Sequence, residues 1–445
     1  MSFDVEKYVI DEKASIKRAL QKVEENHFGM IFAQTDAKKI VGLATDGDIR
    51  RALLKGVTLH DAVSKCMNRK FHWATSDTPR ETLLKRLDGH IHFIPILDQS
   101  GRLISIISRD YLPLEDEKSV YIRARAPVRV SFGGGGSDLT HYFENNYGAV
   151  INSAVSIYSH GSMRIRDDSK IIINSLDLNK TLLADNLEEA LLKNDYFGLI
   201  QSLLHVVQPK YGFELSLNSD FPLGSGLGGS ATVSAVVLGC FNVLRKDKWT
   251  QHELAEIAFQ AERLHLGIAG GWQDQYAAVF GGFNFIEFHQ DENIVSPIRL
   301  QSDIASELEE SLVLCNTGID HHSGSIHDHQ KQKMASNSIK ELVKKNVELT
   351  YIARKHLLKG DLVRFAECLD KSWKLKRKFS DMISNDYIDA VYEGALENGA
   401  LGGKLLGAGG GGFFIFYVPP FKKNALITHL NAKNLKVQPF RFEPD

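Results

Sequence analysis

Residues 222–231 read PLGSGLGGSA, and they connect a β-like segment, FELSLNSD (213–220), to an apolar run, ATVSAVVLGCFNVL (231–244). The apolar run is long enough to form a buried helix. Glycines let a backbone approach an anion closely, and the free N–H groups at a helix N-terminus attract phosphate. The stretch therefore predicts a phosphate-binding turn, although a glycine-rich turn ahead of a buried helix can also serve packing alone.

Two other phosphate-binding motifs do not fit this loop. A P-loop ends in Gly-Lys followed by Ser or Thr, and that ending is absent here. Gly224, Gly226 and Gly229 satisfy GxGxxG, but a dinucleotide fold needs a second strand after the helix. The sequence instead continues into HELAEIAFQAERLHL (252–266), which has a helical pattern. A nicotinamide site is therefore disfavoured.

Composition excludes several classes of protein. The 445 residues include 43% hydrophobic and 24% charged residues, and the net charge of -2 gives no basic surface for nucleic acid. No apolar run reaches the roughly 20 residues that cross a bilayer. The cysteines form no CxxC pair, which favours a reducing cytoplasm over a disulfide framework. They are Cys66, Cys240, Cys315 and Cys368.

The chain is long enough for more than one domain. Residues 1–115 alternate short β-rich runs with helical ones, and the rhythm occurs twice about 60 residues apart, which is typical of an internal βαβ-type repeat. An acidic stretch, LEDEKS (114–119), is interpreted as a linker. Longer strands, long helices and three glycine clusters follow, and we expect two further domains at 120–300 and 301–445.

The first region resembles a tandem CBS module, a regulatory unit that often binds adenine nucleotides. Thr45 and Asp48 match the Thr and Asp with which that family holds ribose and phosphate. The second half has Asp110 but Ile107 at the Thr position. The resemblance implies an adenine nucleotide and a homodimer formed through this module. Alternatively, Thr45 and Asp48 only cap a helix.

Three ordered blocks in the rest of the chain resemble the GHMP kinase motifs. They are RAPVRVSFGGGGSDL (125–139), the loop at 222–231, and KLLGAGGGGF (404–413). The resemblance implies an α+β fold with an N-terminal mixed α/β domain and a C-terminal ferredoxin-like domain, and an activity that transfers phosphoryl from ATP to a small alcohol. Gly229 replaces the first Ser of the family's Ser-Ser pair.

The resemblance also assigns nucleotide and metal ligands. Ser230 and Glu262 would hold Mg²⁺, a hard cation that takes a few protein oxygens together with phosphate oxygens. The alternatives are an N-cap serine and a solvated helix glutamate. The ATP-binding residues would be Pro222, Gly224, Ser225, Gly226, Leu227, Gly228, Gly229, Ser230 and Ala231.

Asp274, in the segment GGWQDQY (270–276), matches the aspartate that deprotonates or orients the acceptor alcohol in this family. The alternative is an aspartate that caps the following helix. Strand alternation places Arg123, Arg125 and Arg129 on one face, and Arg129 is the expected partner of Asp274. A guanidinium there would stabilise negative charge that develops during transfer.

The acceptor would be a sugar or sugar phosphate. The blocks look closest to the D-glycero-D-manno-heptose 7-phosphate kinase branch, which would phosphorylate the anomeric hydroxyl for surface-polysaccharide synthesis. L-Fucose and other sugar 1-kinases are the alternative, and a non-catalytic nucleotide sensor and a superfamily decarboxylase are more distant ones. The expected substrate-binding residues are Gly134, Gly135, Gly136, Ser137, Asp138, Gly409 and Gly410.

Two polar runs lack a regular motif. DHHSGSIHDH (320–329) has no zinc-site spacing and predicts a polar loop. In WKLKRKF (373–379) the basic residues either line an exposed helix or meet a substrate phosphate.

Overall fold

The computed structural model describes residues 5–88, 91–108, 121–193, 196–222, 224–319, 323–334 and 336–443. The chain divides into two compact units, Met1–Lys118 and Ser119–Asp445. The interpreted linker at 114–119 lies outside the described residues, and the three predicted domain ranges stay predictions. Within the described part, no helix combines the length and the apolar character needed to cross a bilayer.

The first unit contains two similar halves. In the first, a short 3-10 turn (Val5–Lys7) precedes β1 (Val9–Asp11), α1 (Ile16–Asn26), β2 (Met30–Gln34), β3 (Ile40–Thr45) and α2 (Asp46–Leu54). The second half contains a 3-10 turn (Val63–Lys65), α3 (Arg80–Asp88), β4 (Phe93–Leu97) and β5 (Leu103–Ser108). β1 pairs with β2 in parallel, and Ala74 pairs in the same way with Ile96 of β4. The predicted internal repeat is therefore confirmed.

The strand register corrects one detail of that repeat. Thr45 pairs with Met30 in the first hairpin, and Ser108 pairs with Phe93 in the second. Ser108, rather than Ile107, therefore occupies the position equivalent to Thr45. The two residues are neighbours in sequence, and only the pairing decides between them. Asp110 lies outside the described residues.

Thr45 and Asp48 cap α2. The Thr45 hydroxyl accepts a hydrogen bond from the Asp48 backbone N–H at 3.2 Å, and the Asp48 carboxylate accepts one from the Thr45 N–H at 3.0 Å. This reciprocal pair satisfies two N–H groups that a helix start would otherwise leave without partners. The carboxylate also forms an ion pair with Arg51 at 2.5 Å. The capping role is thus present, whether or not a nucleotide also binds.

The first part of the second unit is built on a long, bent sheet. Its elements are β6 (Tyr121–Gly133), α4 (Thr140–Phe143), β7 (Gly148–Ile165), β8 (Ile171–Ser175), β9 (Lys180–Ala184), α5 (Leu187–Leu192), α6 (Gly198–Val207), β10 (Phe213–Ser219), α7 (Gly229–Leu244), α8 (Gln251–Phe259), α9 (Gln273–Phe280), β11 (Phe283–Phe288) and β12 (Asn293–Pro297).

The 18-residue strand β7 organises this sheet. It pairs with β6 along one edge, and on its other edge with β11 and then with β10. β12 extends the sheet beyond β11, and β8 and β9 extend it beyond β10. The helix α7, predicted from its unbroken apolar run, packs into the core between these strands and α6 with Val236, Val237 and Phe241.

The second part of this unit has a four-stranded antiparallel sheet in the order β14-β15-β13-β16. Its strands alternate with helices in a βαββαβ chain order, which is the predicted ferredoxin-like arrangement. The elements are α10 (Ser302–Ser311), β13 (Leu312–Asn316), α11 (Ser323–Lys333), α12 (Asn337–Leu358), α13 (Leu362–Lys376), α14 (Asp386–Glu397), β14 (Gly402–Leu405), β15 (Phe413–Tyr417), α15 (Pro420–Ala432) and β16 (Lys436–Gln438).

One continuous core joins the two parts of the second unit. Phe132 from the first sheet contacts the ring of Phe365 on α13 at a centroid distance of 5.5 Å. Trp373 on α13 in turn packs against Phe414 of β15. Because this core fixes both sheets relative to α13, loops from the two parts can form one wall of a cavity with a defined geometry.

Candidate active site

A cavity of about 570 Å³ lies in the second unit, within the size range of small-molecule sites. One end is lined by apolar side chains of α6, β10 and the segments beside them, such as Phe197, Leu217 and Phe221. The other end is lined by charged and polar groups, including Arg129, Asp138 and Asp274. The glycine-rich loop also lines the cavity, which therefore offers both apolar and polar surfaces to a ligand.

The glycine-rich loop supplies the floor of the cavity. Gly228 has a φ of +81° and is the N-cap residue of α7. A Cβ atom at this position would lie 3.4 Å from the Asp274 carboxyl carbon, so glycine lets the loop lie against that carboxylate. The predicted residues that line the cavity are Gly224, Ser225, Gly226, Gly228, Gly229, Ser230 and Ala231.

Two predicted loop residues do not line the cavity. Leu227 is fully buried in the hydrophobic core, and Pro222 is exposed outside the lining. The third glycine motif supports the loop from the other side, because a Cβ atom on Gly407 would lie 2.8 Å from the Gly226 Cα atom. Leu227 therefore anchors the loop, and Gly407 allows the two motifs to touch.

Arg129 and Asp274 form an ion pair across 145 residues of sequence. Arg129 Nε donates to Asp274 Oδ1 at 2.8 Å, and Nη2 lies 2.7 Å from the same oxygen. Arg129 Nη1 also donates to the Gly226 carbonyl at 2.8 Å, which joins the pair to the loop. The arginine side chain is only 3% exposed, whereas that of Asp274 keeps 24%. The carboxylate is thus held rigidly but remains open to the cavity.

The structure decides against a helix-capping role for Asp274. The helix α9 begins at Gln273, and its N-cap residue is Trp272, so Asp274 is the second helical residue. The Gln273 N–H instead donates to the carboxylate of Asp138 at 3.4 Å. Asp138 therefore accepts the hydrogen bond that a capping side chain would accept. Asp274 instead pairs with Arg129.

Asp138 is buried beside the ion pair. Its carboxylate accepts the Gly136 N–H at 3.0 Å. Burial raises the pKa of Asp138 above its ordinary value, and the neighbouring charge of Asp274 adds to the effect. Of the predicted block, Gly135, Gly136 and Asp138 line the cavity.

Gly134 and Ser137, predicted to bind substrate, do not line the cavity. Ser137 is fully buried, and its hydroxyl donates to the Gly134 carbonyl at 2.8 Å and accepts the Ala149 N–H at 3.1 Å. Glycine at 134 avoids a clash with the Ala149 carbonyl oxygen. These two residues stabilise the conformation of the loop. A sequence motif alone does not distinguish such a structural role from contact with a ligand.

Ser230 and Glu262 are in direct hydrogen-bond contact near the start of α7. Glu262 is buried, so it is not the solvated glutamate weighed above, and Ser230 is the second residue of α7 rather than its N-cap. Glu262 also accepts from Gln275 at 2.7 Å and forms an ion pair with Arg263 at 3.2 Å. It lies in a π-helical turn (Gln260–His265), a distortion frequent at functional sites.

The third glycine cluster contributes Gly407 and Ala408 to the cavity, whereas Gly409 and Gly410 are not among its lining residues. The Gly410 N–H donates to the Ile383 carbonyl at 2.9 Å, and Gly409 packs closely against the same residue. The part of this motif that lines the cavity therefore lies two residues before the predicted Gly409 and Gly410, whose contact with substrate stays a prediction.

Two residues that line the cavity could not be distinguished from their neighbours by sequence alone. Lys376, one of the basic residues in WKLKRKF, is buried and donates a short hydrogen bond to the Gly407 carbonyl. Its helical neighbours Lys374 and Arg377 instead pair with Asp370 and Asp389 at 2.8 Å each. Tertiary packing determines which face of α13 lines the cavity. A run of charged residues in the sequence does not show which face that is.

The second such residue is His327. It lines the cavity from α11, and burial lowers its pKa to about 4. The predicted polar loop at 320–329 is wrong from Ser323 onward, where α11 begins, and residues 320–322 lie outside the described part. Among the described residues, no cluster of three or more His, Cys, Asp or Glu side chains offers a metal site.

Comparison with known proteins gives relatives for this architecture. The chain is 37% identical over 329 residues to the D-glycero-alpha-D-manno-heptose 7-phosphate kinase of Campylobacter jejuni, covering 72% of this chain and 96% of that protein. The models of the GHMP kinase N-terminal and C-terminal domains match residues 196–282 and 353–434. The chain belongs to the GHMP kinases. Its predicted α+β GHMP fold is thereby confirmed.

Other relatives agree with this assignment. A crystal structure of a D-glycero-D-manno-heptose 1-phosphate kinase from Bacteroides thetaiotaomicron is 29% identical, with a TM-score of 0.61, and covers 73% of this kinase and 97% of that chain. A bifunctional fucokinase/GDP-fucose pyrophosphorylase from Arabidopsis thaliana is 28% identical, covering 68% of this kinase but 30% of that protein. The CBS domain model matches residues 4–55 and 63–112, so the kinase carries a CBS pair.

Proposed function

We propose that this kinase transfers the γ-phosphoryl group of ATP to the anomeric hydroxyl of D-glycero-D-manno-heptose 7-phosphate, giving the 1,7-bisphosphate and ADP. The observation that carries the proposal is the position of Asp274. Its carboxylate lies against Gly228 of the phosphate-binding loop and is held by Arg129. A carboxylate at that place is within reach of both a bound triphosphate and an acceptor in the polar end of the cavity.

In this proposal the acceptor hydroxyl donates its proton to Asp274 as its oxygen forms a bond to the γ-phosphorus. The bond between that phosphorus and the β,γ-bridging oxygen breaks, and ADP leaves with the bond's electron pair. Such transfers depend mainly on positioning and charge stabilisation. Arg129 supports both, because it orients Asp274 and places positive charge beside the loop carbonyl of Gly226.

Ser230 and Glu262 are the proposed Mg²⁺ ligands. Mg²⁺ keeps several waters and is usually bound through one or two carboxylates together with substrate phosphates. A hydroxyl and a carboxylate oxygen that already touch, at the start of the helix that follows the loop, fit this requirement. The ion would neutralise charge on the β- and γ-phosphates, and Gln275 and Arg263 fix the carboxylate that holds it.

The heptose phosphate assignment is supported by the Campylobacter relative, and a fucose acceptor is the alternative suggested by the Arabidopsis one. The two heptose relatives are named for a 7-phosphate and a 1-phosphate, respectively. An anomeric hydroxyl is more acidic than other sugar hydroxyls, which suits a carboxylate base. The sensor and decarboxylase alternatives are less well supported, because the Asp274, Arg129 and Ser230–Glu262 constellation suits phosphoryl transfer.

An acceptor panel tests the substrate. ADP release coupled to a reporter would be measured with heptose 7-phosphate, unphosphorylated heptose, L-fucose, galactose and mannose. We expect the highest kcat/KM with heptose 7-phosphate, because a site built for a substrate's polar groups discriminates strongly against analogues that lack them. A higher kcat/KM with L-fucose would replace the heptose assignment by the alternative.

We further propose that the CBS pair binds an adenine nucleotide at Thr45 and Asp48. Asp48→Ala is expected to weaken adenine-nucleotide binding to the full-length protein by about tenfold, since the loss of a hydrogen bond that its carboxylate accepts from a ribose hydroxyl costs about 1.5 kcal/mol. Asp46→Ala is the matched control, because Asp46 begins the same helix and only pairs with Arg50 at 2.6 Å.

Calorimetric titration with AMP, ADP and ATP would detect this site as binding beyond that at the kinase cavity. Equal binding by the two variants would remove the assignment. The predicted homodimer stays a prediction, and a cytoplasmic location, supported by four free cysteines, is part of the same proposal.

A further inference from the structure

The positively charged groups that line the cavity differ in whether they have a carboxylate partner. Arg129 contacts Asp274, and Arg263 contacts Glu262 together with two backbone carbonyls. Lys376 is different: among the described residues its ammonium group hydrogen-bonds only to the neutral Gly407 carbonyl, and no carboxylate lies within ion-pair distance of it. A buried ammonium without an anionic partner is costly, so its retention calls for an anion from outside the protein.

A second buried lysine lies near enough for its charge to interact with that of Lys376. Lys404 of β14 is 1% exposed, and its Nζ atom lies 3.5 Å from the Ser131 hydroxyl, with no carboxylate partner in the ranges that the structure describes. Burial and the charges of Lys376 and Arg129 lower the pKa of Lys404 well below its usual value. Lys404 does not line the cavity, and its lowered pKa favours the neutral amine, so Lys376 is the lysine that a ligand in the cavity would meet.

The position of Lys376 points to the acceptor end of the cavity. Three residues beyond it, the Phe379 ring lies 3.3 Å from where a Cβ atom of Gly136 would stand, which sets the end of α13 against the Gly135–Gly136 segment. His327 also lines the cavity, from α11, and its Nδ1 atom is buried with no hydrogen-bond partner in the described part of the chain. An ammonium and an imidazole thus face one polar space.

We propose that Lys376, with His327 as a second contact, binds the phosphate group that the sugar substrate already carries. This inference rests on the proposed function and assigns the part of the site that selects a phosphorylated acceptor. In the proposed function the transferring phosphoryl group has its own partners, which are the loop N–H groups, Arg129 and the Mg²⁺ that Ser230 and Glu262 would hold. A phosphate dianion at Lys376 would supply the anionic partner that the lysine lacks among the described residues.

Lys376→Met tests the proposal. Methionine has a similar length and no charge, and replacing a buried unpaired ammonium by an apolar side chain is not expected to destabilise the fold. We expect KM for heptose 7-phosphate to rise roughly 10- to 100-fold, from the loss of a charge-assisted hydrogen bond. KM for ATP and kcat/KM for unphosphorylated heptose should stay near the wild-type values.

The matched control is Lys374→Met. Lys374 lies on the same helix but is exposed and paired with Asp370, so its removal should leave both acceptors unaffected. If Lys376→Met lowers kcat equally for phosphorylated and unphosphorylated heptose, the lysine acts on the transferring group and the proposal is wrong. Unchanged kinetics with heptose 7-phosphate would overturn it as well.

The same assays separate this inference from the proposed function. A wild-type enzyme that phosphorylates no sugar phosphate overturns both. A wild-type enzyme that prefers heptose 7-phosphate, with a Lys376→Met variant that keeps the same preference, overturns only the role of Lys376.

A pH profile gives an independent readout. Burial, aided by the charge of Arg129, lowers the pKa of Lys376 to about 8. The lysine is therefore charged below that pH, and kcat/KM for heptose 7-phosphate should fall as the pH rises through about 8. The charged and titratable groups that face it are Arg129 of β6, Asp138 after β6, Asp274 of α9, His327 of α11 and Lys404 of β14. Lys376→Met should lack this decrease, and a decrease retained unchanged would contradict the assignment.

Discussion

Asparagine in place of Asp274 is expected to lower kcat by about 10²- to 10⁴-fold, the contribution of a positioned general base. The amide has nearly the same shape as the carboxylate, and its oxygen can still accept from Arg129 Nε, now 2.8 Å away. It cannot take the acceptor's proton. KM for ATP should change little, because the loop and the Ser230–Glu262 pair are untouched. Steady-state kinetics with heptose 7-phosphate would measure the loss.

Asp389→Asn is the control for this substitution. Asp389 also pairs with an arginine, Arg377, at 2.8 Å, but it does not line the cavity. Its kcat should remain near the wild-type value. If Asp274→Asn retains wild-type kcat, Asp274 is not the base, and the proposed chemistry needs another proton acceptor.

Methionine in place of Arg129 is expected to affect both activity and stability. Loss of the charge that stabilises the transferring group should lower kcat by about 10²- to 10³-fold, as for other electrostatic contacts of this kind. Breaking a buried ion pair typically costs about 3 to 5 kcal/mol of unfolding free energy, and we expect about 2 to 3 here. The smaller value reflects the 24% exposure that Asp274 keeps.

Arg125→Met provides the comparison, because Arg125 lies on the same strand but is 63% exposed. It contacts the Tyr158 ring and Glu443, away from the cavity. Denaturant unfolding should show little change for Arg125→Met, since exposed ion pairs contribute at most about 1 kcal/mol. Equal losses of unfolding free energy in the two variants would mean that the contact between Arg129 and Asp274 contributes no more to stability than an exposed ion pair.

Much of this architecture could be predicted from sequence because its signals are local. The βαβ rhythm of the first unit and the apolar run of α7 depend on side-chain periodicity, which short segments encode. The contact of Arg129 with Asp274 spans 145 residues, and it was predicted only because both lie in motifs of one family. Strand alternation alone left Arg123, Arg125 and Arg129 on one face, and burial selects Arg129.

The remaining features depend on tertiary packing. Lys374, Lys376 and Arg377 are equivalent in a charge run, yet only Lys376 lines the cavity, because α13 packs between the two sheets. Ser137 and Gly409 belong to recognised motifs, but the Ser137 hydroxyl hydrogen-bonds to the backbone, and Gly409 allows close packing against Ile383. The position equivalent to Thr45 is Ser108 rather than Ile107 because of the register of the β4–β5 hairpin. A register shift of one residue would reverse the faces on which the side chains lie.

The most direct measurement is a ¹H–³¹P correlation spectrum of the product formed from ATP and heptose 7-phosphate by the full-length kinase. We predict a new phosphorus signal coupled to the anomeric proton, formed in equal amount to ADP, with the original 7-phosphate signal retained. A phosphate on any other carbon, or release of inorganic phosphate without a sugar bisphosphate, would contradict transfer to the anomeric hydroxyl.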